Sequence, residues 1–149
     1  MAYLASIVPL ASGAVDRLEE LPGRLAFLFD YDARTALARP DVLEVLSHPG
    51  AREVVAGLAE ELSRAGRVDR ERFQAVAGAL RRRTGQSRER LFHPIRVALT
   101  GEASGPELRE AAPAIDRGAD LPPASGIGPI MGCRERAAAF WSVVSGERG

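Results

Sequence analysis

The chain has 149 residues, 46% of them hydrophobic and 27% charged, with a formal net charge of zero; this is the make-up of about one globular domain that buries its own core. A single cysteine, Cys133, excludes an internal disulfide and a thiolate zinc or iron–sulfur site, and His48 and His93 are too few for a histidine-rich metal site. No run of 18 apolar residues is present to span a membrane, and residues 1–10 lack a basic n-region, so the cytoplasm is the expected location.

Helical periodicity dominates from the start. Residues 3–21 read as a helix bent near Pro9 and Gly13 and ended by Leu21-Pro22-Gly23; residues 24–29 form an apolar stretch closed by Asp30-Tyr31-Asp32. Pro40 and Asp41 open a short helix through Leu46, which His48-Pro49-Gly50 stops. Val54, Leu58 and Leu62 then recur at a spacing of four, one stripe of a helix that stops near Gly66. Asp69 is a good N-cap for the next helix, whose buried face is Phe73, Val76, Ala77 and Leu80. Arg81, Arg82 and Arg83 fall in its last turn, where cations suit the helix dipole, before Thr84-Gly85. Ser87 is expected to cap a further helix to about Leu99, followed by Thr100-Gly101.

After Leu108 the pattern dissolves. Pro113, Pro122, Pro123 and Pro129 with Gly118, Gly126 and Gly128 predict a long irregular, mobile insertion over residues 110–130. Helical spacing returns over 133–146, with Ala137, Phe140, Trp141 and Val144 on one stripe. No strand alternation or internal repeat is found. The expected fold class is all-α, two small helical bundles divided near Gly66 into residues 1–66 and 67–149.

The zero net charge hides an uneven distribution. All 20 basic residues are arginine, and neither lysine nor asparagine occurs, a bias that codon usage accounts for in large part. Residues 64–96 carry ten arginines against Asp69, Glu71 and Glu89, a balance of +7, while residues 1–63 come to −5 and residues 97–149 to −2. A neutral chain with one basic segment suits a polyanion; a solvated helix face is the competing reading of equal weight. Three consecutive arginines cannot face one way on a helix, because successive residues rotate by about 100°. At a helix end they fan out and span adjacent phosphates.

Catalytic templates fail. Gly126-Ile127-Gly128-Pro129-Ile130-Met131-Gly132 has the wrong spacing for a dinucleotide or phosphate loop, and no strand precedes it. His48 reads as a surface or capping residue, and His93, before Pro94, as a packing or capping one. Cys133 lies beside Arg134 at a predicted helix start, which would lower its thiol pKa, but no base accompanies it. No catalytic residue, cofactor site or metal site is expected.

One stretch carries a family resemblance. Leu91-Phe92-His93-Pro94-Ile95-Arg96-Val97-Ala98-Leu99-Thr100-Gly101-Glu102-Ala103-Ser104-Gly105-Pro106-Glu107-Leu108 resembles the "P-x-R-x-A-L-T-G" and "G-P-x-L" signature of the C-terminal anticodon-binding region of bacterial glutamyl-tRNA synthetase. The likeness extends back through Ala26-Phe27-Leu28-Phe29-Asp30, and to Ile7-Val8-Pro9-Leu10 and Leu18-Glu19-Glu20-Leu21. It resumes at Gly132-Cys133-Arg134-Glu135-Arg136, similar to the family's start of the last helix.

The resemblance implies an α-helix cage that grips the anticodon stem-loop of tRNA. By position, Gly105, Pro106 and Leu108 would form the surface near the anticodon bases, and Thr100 and Gly101 would shape the turn. Arg96, with Arg81, Arg82, Arg83 and Arg88, would face the RNA backbone. The alternative for Pro106 and Leu108 is turn geometry and core packing. The family's H-x-G-H and K-M-S-K-S-type motifs have no counterpart, so no glutamate activation is expected from this chain alone. The family's arginine for the anticodon's third base would fall at or before residue 3, where Met1, Ala2 and Tyr3 stand. Three readings follow: a non-catalytic module for tRNA(Glu)-type tRNA, a tRNA-binding subunit whose partner is a separate synthetase catalytic half, and a divergent copy that binds protein.

Overall fold

A computed structural model of the chain describes Leu28, residues 31–120 and residues 130–146. The helix expected over residues 3–21 lies outside them, as does the part of the expected insertion at 121–129. The described residues are all-α: α1 (Ala33–Leu37), α2 (Pro40–Ser47), α3 (Ala51–Arg64), α4 (Arg70–Thr84), α5 (Glu89–Thr100), α6 (Leu108–Ala119) and α7 (Cys133–Val144), with no strand among them. None of these helices is long and apolar enough to cross a membrane.

Local chemistry sets most boundaries. Asp32 caps α1 by accepting from the Arg34 amide at 3.0 Å, and Pro40 starts α2, where its missing N–H leaves no bond unmade. Asp69 caps α4 by accepting from the Arg72 amide at 2.7 Å. At the other end of α4, Gly85 adopts φ +75° and donates to the Arg81 carbonyl at 2.9 Å.

α3 is the central element. Val54, Val55, Leu58 and Leu62 are buried, and α2, α4, α5 and α7 all pack on it. Gly57 permits the close approach of α4, since a β-carbon there would stand 2.7 Å from Leu80 Cδ2. One apolar cluster joins Val54, Leu58, Leu80, Leu91, Ile95, Ile115 and Phe140, so the core runs without interruption across residue 66.

Two expectations are corrected. Ser87 does not cap α5; Arg88 is the N-cap residue, at φ 53° and ψ −130°, and makes no side-chain capping bond. Residues 110–119 are not irregular but belong to α6. Almost every α6 residue from Ala111 to Gly118 is buried, Pro113 included. The helix's charged residues Arg109, Glu110, Asp116 and Arg117 share one side, but the buried side is made mostly of alanines with Pro113 among them, so no stripe of large apolar residues announces the helix. Its alanines let α4, α5 and α7 approach closely. Asp116 is the buried polar exception: its carboxylate accepts from the Val68 amide at 2.6 Å and the Cys133 amide at 2.8 Å.

Candidate nucleic-acid interface

The end of α5 is tied down at the Arg96, Val97, Ala98 and Leu99 carbonyls. Gly101, at φ +75°, donates its N–H to the Val97 carbonyl at 2.9 Å. The buried Thr100 hydroxyl donates to the Arg96 carbonyl at 2.8 Å and accepts from the Glu102 amide at 3.1 Å. Tyr31 donates its hydroxyl to the Ala98 carbonyl at 2.6 Å, and Arg136 Nη1 donates to the Leu99 carbonyl at 2.9 Å. The Ala98 and Leu99 carbonyls lie in the last turn, past the reach of the helix's own amides, and a cation beside them is favoured by the dipole. Burial raises the Tyr31 pKa well above the ordinary phenol range, against the pull of Arg136, which keeps the hydroxyl a donor.

Arg136 is the fastener. It is 0% exposed, its Nε donates to the Met131 carbonyl at 2.6 Å and its Nη2 to the Leu28 carbonyl at 3.0 Å. The guanidinium lies 4.7 Å from the centroid of the Tyr31 ring. Three remote stretches of chain meet at one side chain.

Beyond Gly101 the turn is clamped by Arg96, whose Nη1 donates to the Pro106 carbonyl at 2.8 Å. Gly105 at φ +154° is a conformation that L side chains rarely adopt, and a β-carbon there would stand 3.4 Å from Arg96 Nη1. Arg96 is half-buried, and the loss of solvent lowers its pKa from the ordinary arginine value. Gly105 is exposed and Pro106 half-buried, whereas Leu108, the first residue of α6, is 4% exposed. Thr100 and Gly101 are buried.

The ten arginines of the basic segment divide into two groups. Arg64 and Arg83 both pair with Glu60, Arg67 pairs with Asp120 at 2.7 Å, and Arg70 pairs with Glu110. The Arg83 guanidinium holds the Glu60 carboxyl below its usual range. Arg96 is engaged by the turn. Arg72, Arg81, Arg82, Arg88 and Arg90 are exposed, and their guanidinium groups have no partner among the described residues. The consecutive arginines do point apart: Arg83 goes back to α3, Arg81 lines a groove, and Arg82 lies beside Gly78 on the same helix.

That groove, of about 540 Å³, lies between α4, α5 and the start of α6. Gln74, Gly78 and Arg81 line it from α4, Phe92 and Arg96 from α5, and Leu108 and Arg109 from α6. Phe73 also lines it, and its ring lies 6.5 Å from that of Phe92, tilted by 36°. Arg81, Arg96 and Leu108 are thereby brought to one place. Arg88 stands one turn before Phe92, and Gly105 and Pro106 directly precede the groove residues Glu107 and Leu108 in the chain without lining the groove themselves.

Sequence reasoning missed Gln74, Phe92 and Arg109 as groove residues and Tyr31 and Arg136 as the anchor of the turn. The alternation of Phe92 and Arg96 one helical turn apart was the available signal. Two other expectations change. Cys133 is buried and its pKa is raised, first by desolvation and then by Asp116, so the neighbouring Arg134 does not activate it. His93 is not a packing residue but exposed; it lines a second groove with His48, Asp41, Glu44, Glu89 and Arg90. No group of three or more metal-ligating side chains is placed to hold an ion among the described residues.

Comparison with known proteins gives this geometry a context. Residues 1–120 match the family model described as an anticodon binding domain. The chain is 26% identical to the glutamate–tRNA ligase of Desulforamulus reducens over 78% of its own length and 24% of the relative's. It is 34% identical to glutamate–tRNA ligase 1 of Maricaulis maris over 66% of its length and 21% of the relative's. With the glutamate–tRNA ligase of Geobacillus stearothermophilus it shares 34% identity over 72% of its length and 19% of the relative's. The chain thus spans about a quarter or less of these relatives. The resemblance to the anticodon-binding region of bacterial glutamyl-tRNA synthetase is borne out: this chain belongs to the anticodon-binding-domain family.

Proposed function

We propose that the chain is a cytoplasmic, non-catalytic module that grips the anticodon arm of a tRNA(Glu)-type tRNA. The observation that carries this reading is the placement of Arg81, exposed and unpaired among the described residues, in the groove that Glu107 and Leu108 of the clamped turn also line, with the equally exposed Arg82 next to it on α4. Arginines without carboxylate partners are available to phosphate, and they position RNA without reading it. Gly105 and Pro106 present a shaped surface that suits unstacked bases. Thr100, Gly101, Arg96 and Leu108 act by holding that surface in place. Arg88 extends the basic surface, and Arg83 holds α4 on α3.

A second reading, in which a separate synthetase half supplies catalysis and this chain supplies tRNA affinity, is favoured by the relatives, three glutamate–tRNA ligases several times longer than the match. Glutamate-dependent pyrophosphate exchange by the purified chain alone would exclude the non-catalytic reading.

A filter-binding titration of tRNA species at two salt concentrations tests the proposal directly. Removal of one arginine that neutralises a phosphate should flatten the log–log salt dependence by roughly 0.7–0.9 units. Arg81→Ala with Arg82→Ala should therefore weaken all tRNAs alike and reduce the slope by about 1.5 units, whereas Arg83→Ala should leave the slope unchanged. Wild-type affinity and slope in the folded double variant would reduce the segment to a solvated face and leave the protein-binding reading.

A further inference from the structure

Four arginines of the basic segment face a carboxylate, and the pattern of pairing draws an edge. Arg64, Arg67, Arg70 and Arg83 are paired, whereas Arg81, Arg82, Arg88 and Arg90 have no partner among the described residues. Arg72 apart, unpaired positive charge is thus confined to the end of α4 and the start of α5. Glu60 of α3 does most to set that edge. Its Oε1 accepts from Arg64 Nη2, one turn along the same helix, and its Oε2 accepts from Arg83 Nη2, in the last turn of α4. Each oxygen of one carboxylate therefore holds a different guanidinium. Arg64 and Arg83 are exposed and the Glu60 side chain is 43% exposed, so the cluster is open to a competing anion. A purely structural tie explains it poorly. Exposed ion pairs contribute little to stability, and α3 and α4 already meet closely at Gly57 and Leu80.

We propose that Glu60 is a specificity-determining residue of the RNA interface, which withholds Arg64 and Arg83 from the phosphates of RNA that is not seated on the clamped turn. This assignment rests on the RNA-binding reading above and concerns the selectivity of that same surface. Phosphate contacts carry no sequence information, so every extra one strengthens unwanted RNA. Arg81 lines the groove that the clamped turn also lines, whereas Arg83 points back to α3. An RNA seated on the turn reaches the first and not the second. An RNA with no such seat slides until it meets unpaired cations, and a free Arg64 and Arg83 would offer it a second track. Held by Glu60 they add little, because a phosphate must displace a carboxylate that then stays beside it. Discrimination is a difference of affinities, and weakening the wrong partner serves it as well as strengthening the right one. Glu61 backs the restraint, its carboxylate 3.6 Å from Arg83 Nη1.

The test is filter binding of a tRNA(Glu) transcript and of polyuridylic acid over a fourfold range of salt. Glu60→Gln keeps the shape of the side chain and removes its charge, which frees Arg64. The log–log salt slope for polyuridylic acid should steepen by roughly 0.7 units, about threefold in affinity across that range of salt. Glu60→Gln with Glu61→Gln frees Arg83 as well and should about double the change in slope. For the tRNA the slope should change by less than half as much, so selectivity falls. Adding Arg64→Ala and Arg83→Ala to the double variant should restore the wild-type slope. Glu71→Gln makes the same change of net charge at an exposed carboxylate without an arginine partner among the described residues, and should leave both slopes unchanged. A wild-type slope for polyuridylic acid in the folded Glu60→Gln, Glu61→Gln variant would overturn the assignment and leave the RNA-binding reading intact. Equal steepening for the two RNAs, or the same steepening in Glu71→Gln, would overturn it too, since net charge and not the release of two arginines would then be the cause. Absence of tRNA binding by the wild-type protein at any salt would overturn the parent reading, and this assignment with it.

Discussion

The two ends of α5 are built on opposite terms. At the C-terminal end, the Gly101 amide, the Thr100 and Tyr31 hydroxyls and the Arg136 guanidinium satisfy four carbonyls of the last turn. At the N-terminal end, Arg88 enters the helix at φ 53° without a side-chain cap, and Arg88 and Arg90 extend into solvent unpaired among the described residues. The difference teaches where shape matters. The end that presents Gly105 and Pro106 is fixed by bonds from residues 31 and 136, far away in the chain. The other end offers charge, which acts over about 10 Å at moderate salt and does not need a fixed geometry.

The sharpest way to break this contrast is Arg136→Met. It leaves the buried Leu28 and Leu99 carbonyls without their guanidinium donor, at about 1–3 kcal/mol each, and removes the bond to the exposed Met131, so a loss on the order of 4 kcal/mol is expected in urea unfolding. Arg136→Lys should recover only part, since an ammonium cannot reproduce the fork. Next comes Leu108→Ala, expected to cost about 2–5 kcal/mol as a buried truncation. If it leaves tRNA preference untouched in the folded fraction, Leu108 acts through packing alone.

Arg88→Gly probes the other end and should have the opposite sign. Relief of a sparsely populated backbone conformation should stabilise the protein by about 1 kcal/mol, read as a rise in Tm, with a salt slope lowered by less than one unit. A fall in Tm would show that the Arg88 side chain supports the helix start.

The smallest effect concerns Glu102, inside the fixed turn. Loss of solvent raises its pKa, against the pull of Arg39 and Arg96. A carboxyl whose folded pKa is raised weakens the fold above that pKa, and the penalty disappears below the unfolded value. Glu102→Gln should therefore stabilise the protein at about pH 7, with the gain vanishing toward about pH 4, as urea midpoints at the two pH values will show.

Much of this architecture was legible in the residues, and the unreadable parts have physical causes. α2 to α5 and α7 each bury one stripe, so their periodicity survives in the sequence, and Asp69 and Gly85 act through local bonds that their residue types announce. α6 buries mostly alanines in place of large apolar residues, and Pro113 disguises it further. The divergence of Arg81, Arg82 and Arg83 follows from helix rotation, but the destination of Arg83 depends on Glu60, more than 20 residues away. The role of Arg136 comes from contacts with the distant Leu28 and Leu99 carbonyls, for which a charged residue on a helix gives no local sign.

Asp116 carries a consequence of another kind. One carboxylate holds the amide of Val68, just ahead of α4, and that of Cys133, at the first position of α7. Opening either segment alone would strand a buried carboxylate, so neither can fray independently of the other. The Val68 and Cys133 amides should exchange their hydrogens only when the entire molecule unfolds, and the chain should melt in a single transition although its sequence reads as two bundles.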